Sequence, residues 1–329
     1  MLPYIYIFGR EFPTYSVCAV LGGIAISIFC ALQCLFPRKK AKVKVDMQDI
    51  LLMLMFAGFG LIIGAKLMYA LTSTDYFYRD DLNFFQNLWE WIKLTVSGGL
   101  VFYGGLIGAA AGGLIYILHY KTPVSEMLDI AFAGVPLFHA FGRVGCFLGG
   151  CCFGMEYHGP FSIVYPNGSL GGAPAGVELF PVQLTESGLN LILWSVLFLV
   201  YRKTGRRWLT SGLYLTCYGI LRFILEYFRG DMIRGHLGVL SSSQFISIFI
   251  IAIGIFLLIK PRFMDKWGEK HDREYEEAVA KLNIRRREYK DAKRARHEYR
   301  KQYIKDYREY LKAKTAAKDK RERKDRGGT

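Results

Sequence analysis

Long apolar runs alternate with short polar breaks along most of this chain, and the alternation stops at about residue 260. A bilayer crossing needs roughly 20 apolar residues. Seven runs approach or reach that length, at about 13–36, 48–72, 95–119, 126–150, 183–201, 210–228 and 240–259. The pattern predicts an all-α integral membrane core over 1–259 with seven transmembrane helices, followed by a different kind of segment at 260–329. Arg38, Lys39, Lys40, Lys42 and Lys44 follow the first run, Lys121 the third, and Arg202, Lys203, Arg206 and Arg207 the fifth. By the positive-inside bias those loops are cytoplasmic, which puts the N-terminus outside and the C-terminus in the cytoplasm. Residues 151–182 contain no Lys or Arg and are expected to form a Gly- and Pro-rich cap on the outer side. The first run lacks a basic n-region and a short h-region, so it reads as a span and not as a cleaved signal peptide.

Composition agrees: 52% of the 329 residues are hydrophobic and 15% aromatic. The +15 net charge is concentrated after residue 259, where 25 Lys or Arg face 14 Asp or Glu. Residues 268–323 predict a long polar, basic cytoplasmic helix, with Tyr299, Tyr303, Tyr307 and Tyr310 at helical spacing. Three readings of this tail stand side by side: a solvated extension, a tether to the anionic inner leaflet, and a weak coiled coil on Tyr275, Leu282, Tyr289, Tyr303 and Tyr310 interrupted by Arg296. No nucleic-acid motif accompanies its basic residues. Residues 76–93 mix aromatics with charge and are expected to lie along the outer interface, Trp89 and Trp91 serving as belt residues.

The chemistry starts with two arginines. Arg143 lies in the apolar, glycine-rich stretch from His139 to Gly154 with no acidic residue beside it in sequence. A guanidinium stays charged, and placing one within a span costs about 2.5–3.5 kcal/mol on insertion scales, so it should face a partner or a polar cavity. Arg222 sits in a second apolar run with Glu226 one turn on. Counting about 1.5 Å per residue along each span, Tyr15, Lys66, Tyr103, His139, Arg143, Gln183, Glu186, Arg222 and Glu226 all fall in the outward half or at its rim. Two guanidinium forks at headgroup depth match a phosphate, either of a substrate lipid or of a structural lipid. Fixed cations would also stabilise a phosphate as it leaves.

Four blocks carry a resemblance: Gly-Arg-Val-Gly-x-Phe-x-x-Gly at 142–150, Phe-Tyr-Gly-Gly-Leu-Ile-Gly at 102–108, Pro-Val-Gln-Leu at 181–184 with Glu186, and Tyr-Gly-x-x-Arg-Phe-Ile-x-Glu-Tyr-Phe-Arg at 218–229. In this order, over about residues 10–258, the chain resembles the prolipoprotein diacylglyceryl transferases. That resemblance implies seven spans in a bacterial plasma membrane with the active site towards the outer leaflet. It also implies transfer of the diacylglyceryl group of phosphatidylglycerol to the lipobox cysteine in a prolipoprotein signal peptide, releasing glycerol 1-phosphate. Carried over, Arg143 and Arg222 hold the headgroup phosphate. Glu226 orients Arg222, contacts the substrate glycerol, or only neutralises Arg222. Tyr15, Gly104, Gly142, Gly145, Cys146, Gly154, Gln183 and Arg229 join Arg143 as substrate-binding positions.

The chain departs from the family pattern in two places. Tyr103 stands where the commonest family sequence has histidine, and a phenol with a pKa of about 10 is a poor base. It is therefore expected to donate a hydrogen bond. His139, one turn before Arg143, is either a replacement imidazole or a structural residue. Cys146 and Cys151, beside Cys152, stand where asparagine and glutamate are usual, which leaves another acceptor open. Their C-x4-C-C spacing is not a zinc pattern. They read as small packing residues, with Cys151 and Cys152 open to oxidation, while Cys18, Cys30, Cys34 and Cys217 lie within spans. Gly104, Gly105, Gly108, Gly112 and Gly113 suit close helix packing. No metal or nucleotide cofactor is implied. A transporter would want inverted repeats and polar groups through the midplane, and the outward-confined polar set argues against one. A non-catalytic protein that binds anionic lipid is the competing reading.

Overall fold

In the computed structural model the described residues are 2–7, 9–72, 82–99, 101–165, 169, 171–231, 236–237, 240–259 and 262–326. Residues 76–81 of the expected interfacial segment, and the side chains of Tyr303, Tyr307 and Tyr310, lie outside them. Most described residues are helical: α1 (Thr14–Leu35), α2 (Met47–Thr72), α3 (Phe84–Ser97), α4 (Phe102–His119), α5 (Val124–Gly149), α6 (Val182–Lys203), α7 (Leu209–Leu225), α8 (Ser242–Ile259) and α9 (Arg262–Arg326). Five of these, α1, α2, α5, α6 and α8, are long and apolar enough to cross a membrane. Helices α4 and α7 are apolar but shorter. The chain divides into two compact units, Met1–Arg273 and Glu274–Thr329, the second wholly helical where described.

The helical expectation holds for most described residues, with short strands added. Three two-stranded antiparallel hairpins punctuate the helices: β1 (Tyr4–Ile7) with β2 (Arg10–Pro13), β3 (Ile163–Val164) with β4 (Glu178–Leu179), and β5 (His236–Leu237) with β6 (Leu240–Ser241). Each serves a helix end. The first leads straight into α1, where the Thr14 amide donates to the Pro3 carbonyl at 2.9 Å. The expected run at 95–119 is also split. Helix α3 is amphipathic, with Phe84, Phe85 and Trp89 exposed and Asn87 buried, and it ends before α4 begins. Lys66 Nζ donates to the Val96 and Gly98 carbonyls at 2.8 and 2.6 Å, satisfying acceptors left open at the helix end.

Helices α2 and α4 touch backbone to backbone. A Cβ on Gly60 would land on the Gly108 carbonyl, one on Gly64 on the Gly104 carbonyl, and one on Gly112 on the Phe56 carbonyl. Only glycine permits that approach. The outer face of this pair carries an apolar groove of about 700 Å³ lined by residues such as Phe59, Ile63 and Ile107. Elsewhere α5 is the hub, packed on α1, α6 and α7, while α7 packs on α8. Its main apolar core joins Phe29, Ile50, Tyr116, Met127, Ile130 and Trp208.

The polar set is not confined to one half. At the end of the bundle that carries Arg38 and Arg207, both arginines are buried. Arg38 pairs with Glu126 at 2.5 Å and lies over the Tyr201 ring, whose hydroxyl donates to Glu126 at 2.9 Å. Arg207 pairs with Asp272 and, at 3.2 Å, with Glu269. Fully buried Asp129 accepts from the Ser211 hydroxyl and amide. Flanking charges that read as loop markers are thus also the internal ties between helices, because a buried guanidinium must be paired and hydrogen-bonded.

Candidate active site

The opposite end of the bundle gathers the residues singled out in sequence. On α5, His139, Arg143 and Cys146 share a face by their spacing. Arg143 Nε lies 2.9 Å from Glu186 Oε1, in an ion pair that leaves that oxygen without an aligned hydrogen bond. Glu186 is buried in the second turn of α6. The Ser187 hydroxyl donates to the Ala140 carbonyl at 3.0 Å and fixes α6 against α5 at this level.

Tyr218 and Arg222 on α7 and Glu226 at its C-terminal end follow one another at four-residue steps. Arg222 Nη2 lies 2.6 Å from Glu226 Oε2 and donates to Ser243 Oγ at 3.0 Å. Ser243 Oγ and the Tyr103 hydroxyl share a hydrogen bond at 3.2 Å, so α8 couples the phenol of α4 to the guanidinium of α7. The Ser241 hydroxyl donates to Glu226 Oε1 at 3.0 Å. A 3-10 turn over Glu226–Phe228 then brings Arg229 to within 3.9 Å of Glu226 and into a two-pronged bond with Asp231 at 2.9 and 2.6 Å.

Tyr218 joins the two halves. Its phenol lies within the fields of Glu186, Arg143 and Arg222, and its ring meets His139 at 4.7 Å between centroids. Arg143 and Arg229 also act on each other and on Cys152. The arginines therefore line one site, but they are not bare cations: Arg143, Arg222 and Arg229 face Glu186, Glu226 and Asp231. Arg143, which has no acidic neighbour in sequence, thus finds its carboxylate on another helix, and Arg222 is paired with Glu226 as one reading of that carboxylate allowed. Burial requires such pairing, since an unpaired charge in this setting costs several kcal/mol. Buried Arg222 Nη1 is the exception, with no hydrogen-bond partner among the described residues.

Other expected positions take different places. Tyr15 packs beside Gly145, which sits against Cys18 and Tyr15 at the α1 and α5 crossing. Gly104 belongs to the α2 and α4 seam and faces Gly64 and Met68. Gly142 presents open space, and Gly154 packs on Phe180 and bridges to Arg229. Gln183 Nε2 donates to the Cys151 carbonyl at 2.9 Å and so positions the cap. His139 shares a bond of 3.4 Å with the Tyr214 hydroxyl and reaches the arginines through Tyr218.

The cap is a small structure of its own. Tyr165, Ala173 and Leu179 form its core with Phe153, Ile163 and Val177. Burial pushes the Tyr165 phenol up to about 12, and that hydroxyl donates to the Phe147 carbonyl at 3.0 Å. Exposed His158 is raised above its ordinary value by its hydrogen bond to Glu178 and the nearby Glu156. The cap pairs with the segment after α7: the Met155 amide donates to Phe228 O, and the Gly230 amide to Phe153 O. Sequence reasoning missed Tyr218, Ser241, Ser243 and Asp231. Tyr218 was legible as the residue one turn before Arg222, whereas Ser243 depends on how α8 packs.

Fold and site together define a helical membrane protein whose bundle encloses an arginine-lined polar site under a small cap. The chain belongs to the prolipoprotein diacylglyceryl transferase family, whose sequence profile matches residues 4–260. Among its relatives, phosphatidylglycerol–prolipoprotein diacylglyceryl transferase 2 of Clostridium perfringens is 37% identical over 211 residues, covering 64% of this chain and 78% of the relative. The phosphatidylglycerol–prolipoprotein diacylglyceryl transferase of Clostridium tetani is 33% identical over 264 residues, 80% of this chain and 99% of the relative. The Geobacter sulfurreducens enzyme of the same name is 30% identical over 256 residues, covering 76% and 90%.

Proposed function

We infer that this chain transfers the diacylglyceryl group of phosphatidylglycerol to the thiol of the lipobox cysteine in a prolipoprotein signal peptide, releasing glycerol 1-phosphate in the first step of lipoprotein maturation. Family membership supports the reaction, and the network that ties Arg222 to Glu226, Ser243 and, through Ser243, Tyr103 carries it. The lipobox sulfur attacks the glyceryl carbon, the C–O bond to phosphate breaks, and the electron pair leaves with the phosphate oxygen. The thiol proton ends, net, on the departing phosphate. Negative charge grows on that oxygen in the transition state, where fixed guanidinium donors help most. Arg222 Nη1 is the unspent donor for it. Arg143 supplies the second, held by Glu186. Glu226 and Ser243 position Arg222, and Tyr103 acts through Ser243 as a hydrogen-bonding phenol and not as the base.

In this reading α1, α2, α4, α5, α6, α7 and α8 cross the bacterial plasma membrane, with the N-terminus outside and the site towards the outer leaflet. Residues 1–259 form the catalytic core, α3 lies along the outer interface, and the cap over 151–182 admits the signal peptide. The 260–329 tail lies in the cytoplasm, its excess of Lys and Arg suited to the anionic inner leaflet.

The test is mass spectrometry of a lipobox peptide incubated with purified protein and phosphatidylglycerol. A diacylglyceryl mass gain that disappears in Arg143→Ala supports the reaction and the site. Lipid binding without any mass gain in wild type would replace the transferase reading with that of a lipid-binding protein.

A further inference from the structure

The most unusual group of side chains at this end of the bundle is a set of three thiols. Cys146, Cys151 and Cys152 are spread along a turn, yet their Sγ atoms all lie within 4.8 Å of one another. The helix end brings them together. Gly150 takes the left-handed conformation that terminates α5, at φ +70°, and the Cys151 amide turns back to donate to the Cys146 carbonyl at 3.1 Å. Cys152 is itself held at φ +58°, a region costly for a residue with a Cβ. That strain aims its sulfur at the other two.

The carrier of these sulfurs is locked from outside. The Tyr165 hydroxyl donates to Phe147 O at 3.0 Å, the Ser169 hydroxyl to Gly150 O at 2.8 Å, and Gln183 Nε2 to Cys151 O at 2.9 Å. Each bond seats a backbone carbonyl within the turn. Such outer hydrogen bonds are how a protein fixes ligand geometry before a ligand arrives. Charge also fits. The Arg143 and Arg229 guanidiniums both lie within electrostatic reach of Cys152.

We propose that Cys146, Cys151 and Cys152 form a three-sulfur site for a soft, thiophilic cation of the Cu(I) class. Three thiolates around a metal with bonds of about 2.3 Å would stand about 4.0 Å apart in a trigonal plane, so the sulfurs need close by less than about 1 Å. Thiolate sulfur selects Cu(I) and related soft ions over hard ones. Three-coordinate Cu(I) needs no fourth protein ligand, which removes the objection raised by the spacing alone. Binding expels the thiol protons and leaves a cluster of net charge −2, with Arg143 and Arg229 as the cations beside it. The site is independent of the transferase reading, since its ligands and its test do not involve turnover.

The experiment uses reduced, full-length protein in detergent under anaerobic conditions, titrated with Cu(I) against a chromophoric Cu(I) chelator. One Cu(I) per chain should be withdrawn from the chelator, with X-ray absorption showing a shell of three sulfurs. Apparent affinity should fall at least tenfold in Cys151→Ser and in Cys152→Ser, and stay unchanged in Cys217→Ser, whose sulfur lies on α7 away from the cluster. Failure to withdraw Cu(I), equal retention by the serine variants, or a sulfur shell of two or fewer would overturn the proposal. So would a disulfide between two of the three cysteines found by peptide mapping of protein purified without reductant, because the cluster would then be a redox pair.

Discussion

Removing Glu186 should damage the protein chiefly through Arg143. The pair is close, 2.9 Å between Nε and Oε1, and its side chains keep only 16% and 3% of their exposure. With charge centres roughly 4 Å apart and an effective dielectric of about 20, the attraction is about 4 kcal/mol. Part of it offsets desolvation, so the pair adds little net stability over an apolar replacement. Breaking it alone is another matter: a buried guanidinium without its carboxylate costs about 3–5 kcal/mol. Glu186→Ala should therefore destabilise by about that amount, and Arg143→Ala comparably. The double variant should cost about 0.5–3 kcal/mol less than the sum of the two. The assay is a double-mutant cycle on purified protein in detergent, read by equilibrium unfolding. Additive single effects, within about 0.5 kcal/mol, would refute the claim that these residues share one electrostatic environment, and with it the account of how α5 and α6 hold the site.

Further outcomes follow from the same structure. Gly108→Val should force α2 and α4 apart and lower stability by at least about 1–3 kcal/mol, whereas Gly23→Ala on α1, where an added methyl meets open space, should be neutral or stabilising; thermal unfolding compares them. Ser243→Ala removes the atom shared by Tyr103 and Arg222, so it should slow lipid transfer by about tenfold or more, and adding Tyr103→Phe should slow it little further; independent, multiplying effects in the peptide assay would break the proposed chain. The raised pKa of His158 has a definite sign. Its contribution to the cap is complete below its unfolded value of about 6.5 and is lost as pH rises through the higher folded value. Hydrogen exchange of residues 153–165, corrected for intrinsic rate, should show less protection above that range, and His158→Gln should abolish the difference. An unchanged wild-type profile would remove the proton-linked contact with Glu178 from the cap's stability.

Much of the helical layout was legible because burial in lipid leaves a one-dimensional trace. The expected runs at 13–36, 48–72, 126–150 and 183–201 lie within two residues of α1, α2, α5 and α6 at each end. The trace failed where a helix is amphipathic. Helix α3 mixes Glu90 and Lys93 with Phe84 and Trp89, so the sequence marked residues 76–93 as interfacial without fixing a helix there, and apolar averaging merged the end of α3 with α4. The short hairpins left no readable alternation at all. At the site, Arg222 and Glu226 were legible together because an i, i+4 step is local. Glu186 was singled out in sequence but not as the partner of Arg143, since that pairing depends on α6 packing against α5. Arg38 and Glu126 escaped for the same reason, and positive-inside counting treats Arg38 only as a loop charge.

The internal pairing of every site arginine has a consequence for turnover. On the proposed reaction, a phosphate entering the site competes with carboxylates that already hold the guanidiniums. When the C–O bond has broken, Glu186 and Glu226 remain nearby as tethered rivals for the same donors. Product then departs by partner exchange, and the enzyme carries its own displacing anions, ready to return the site to its starting state.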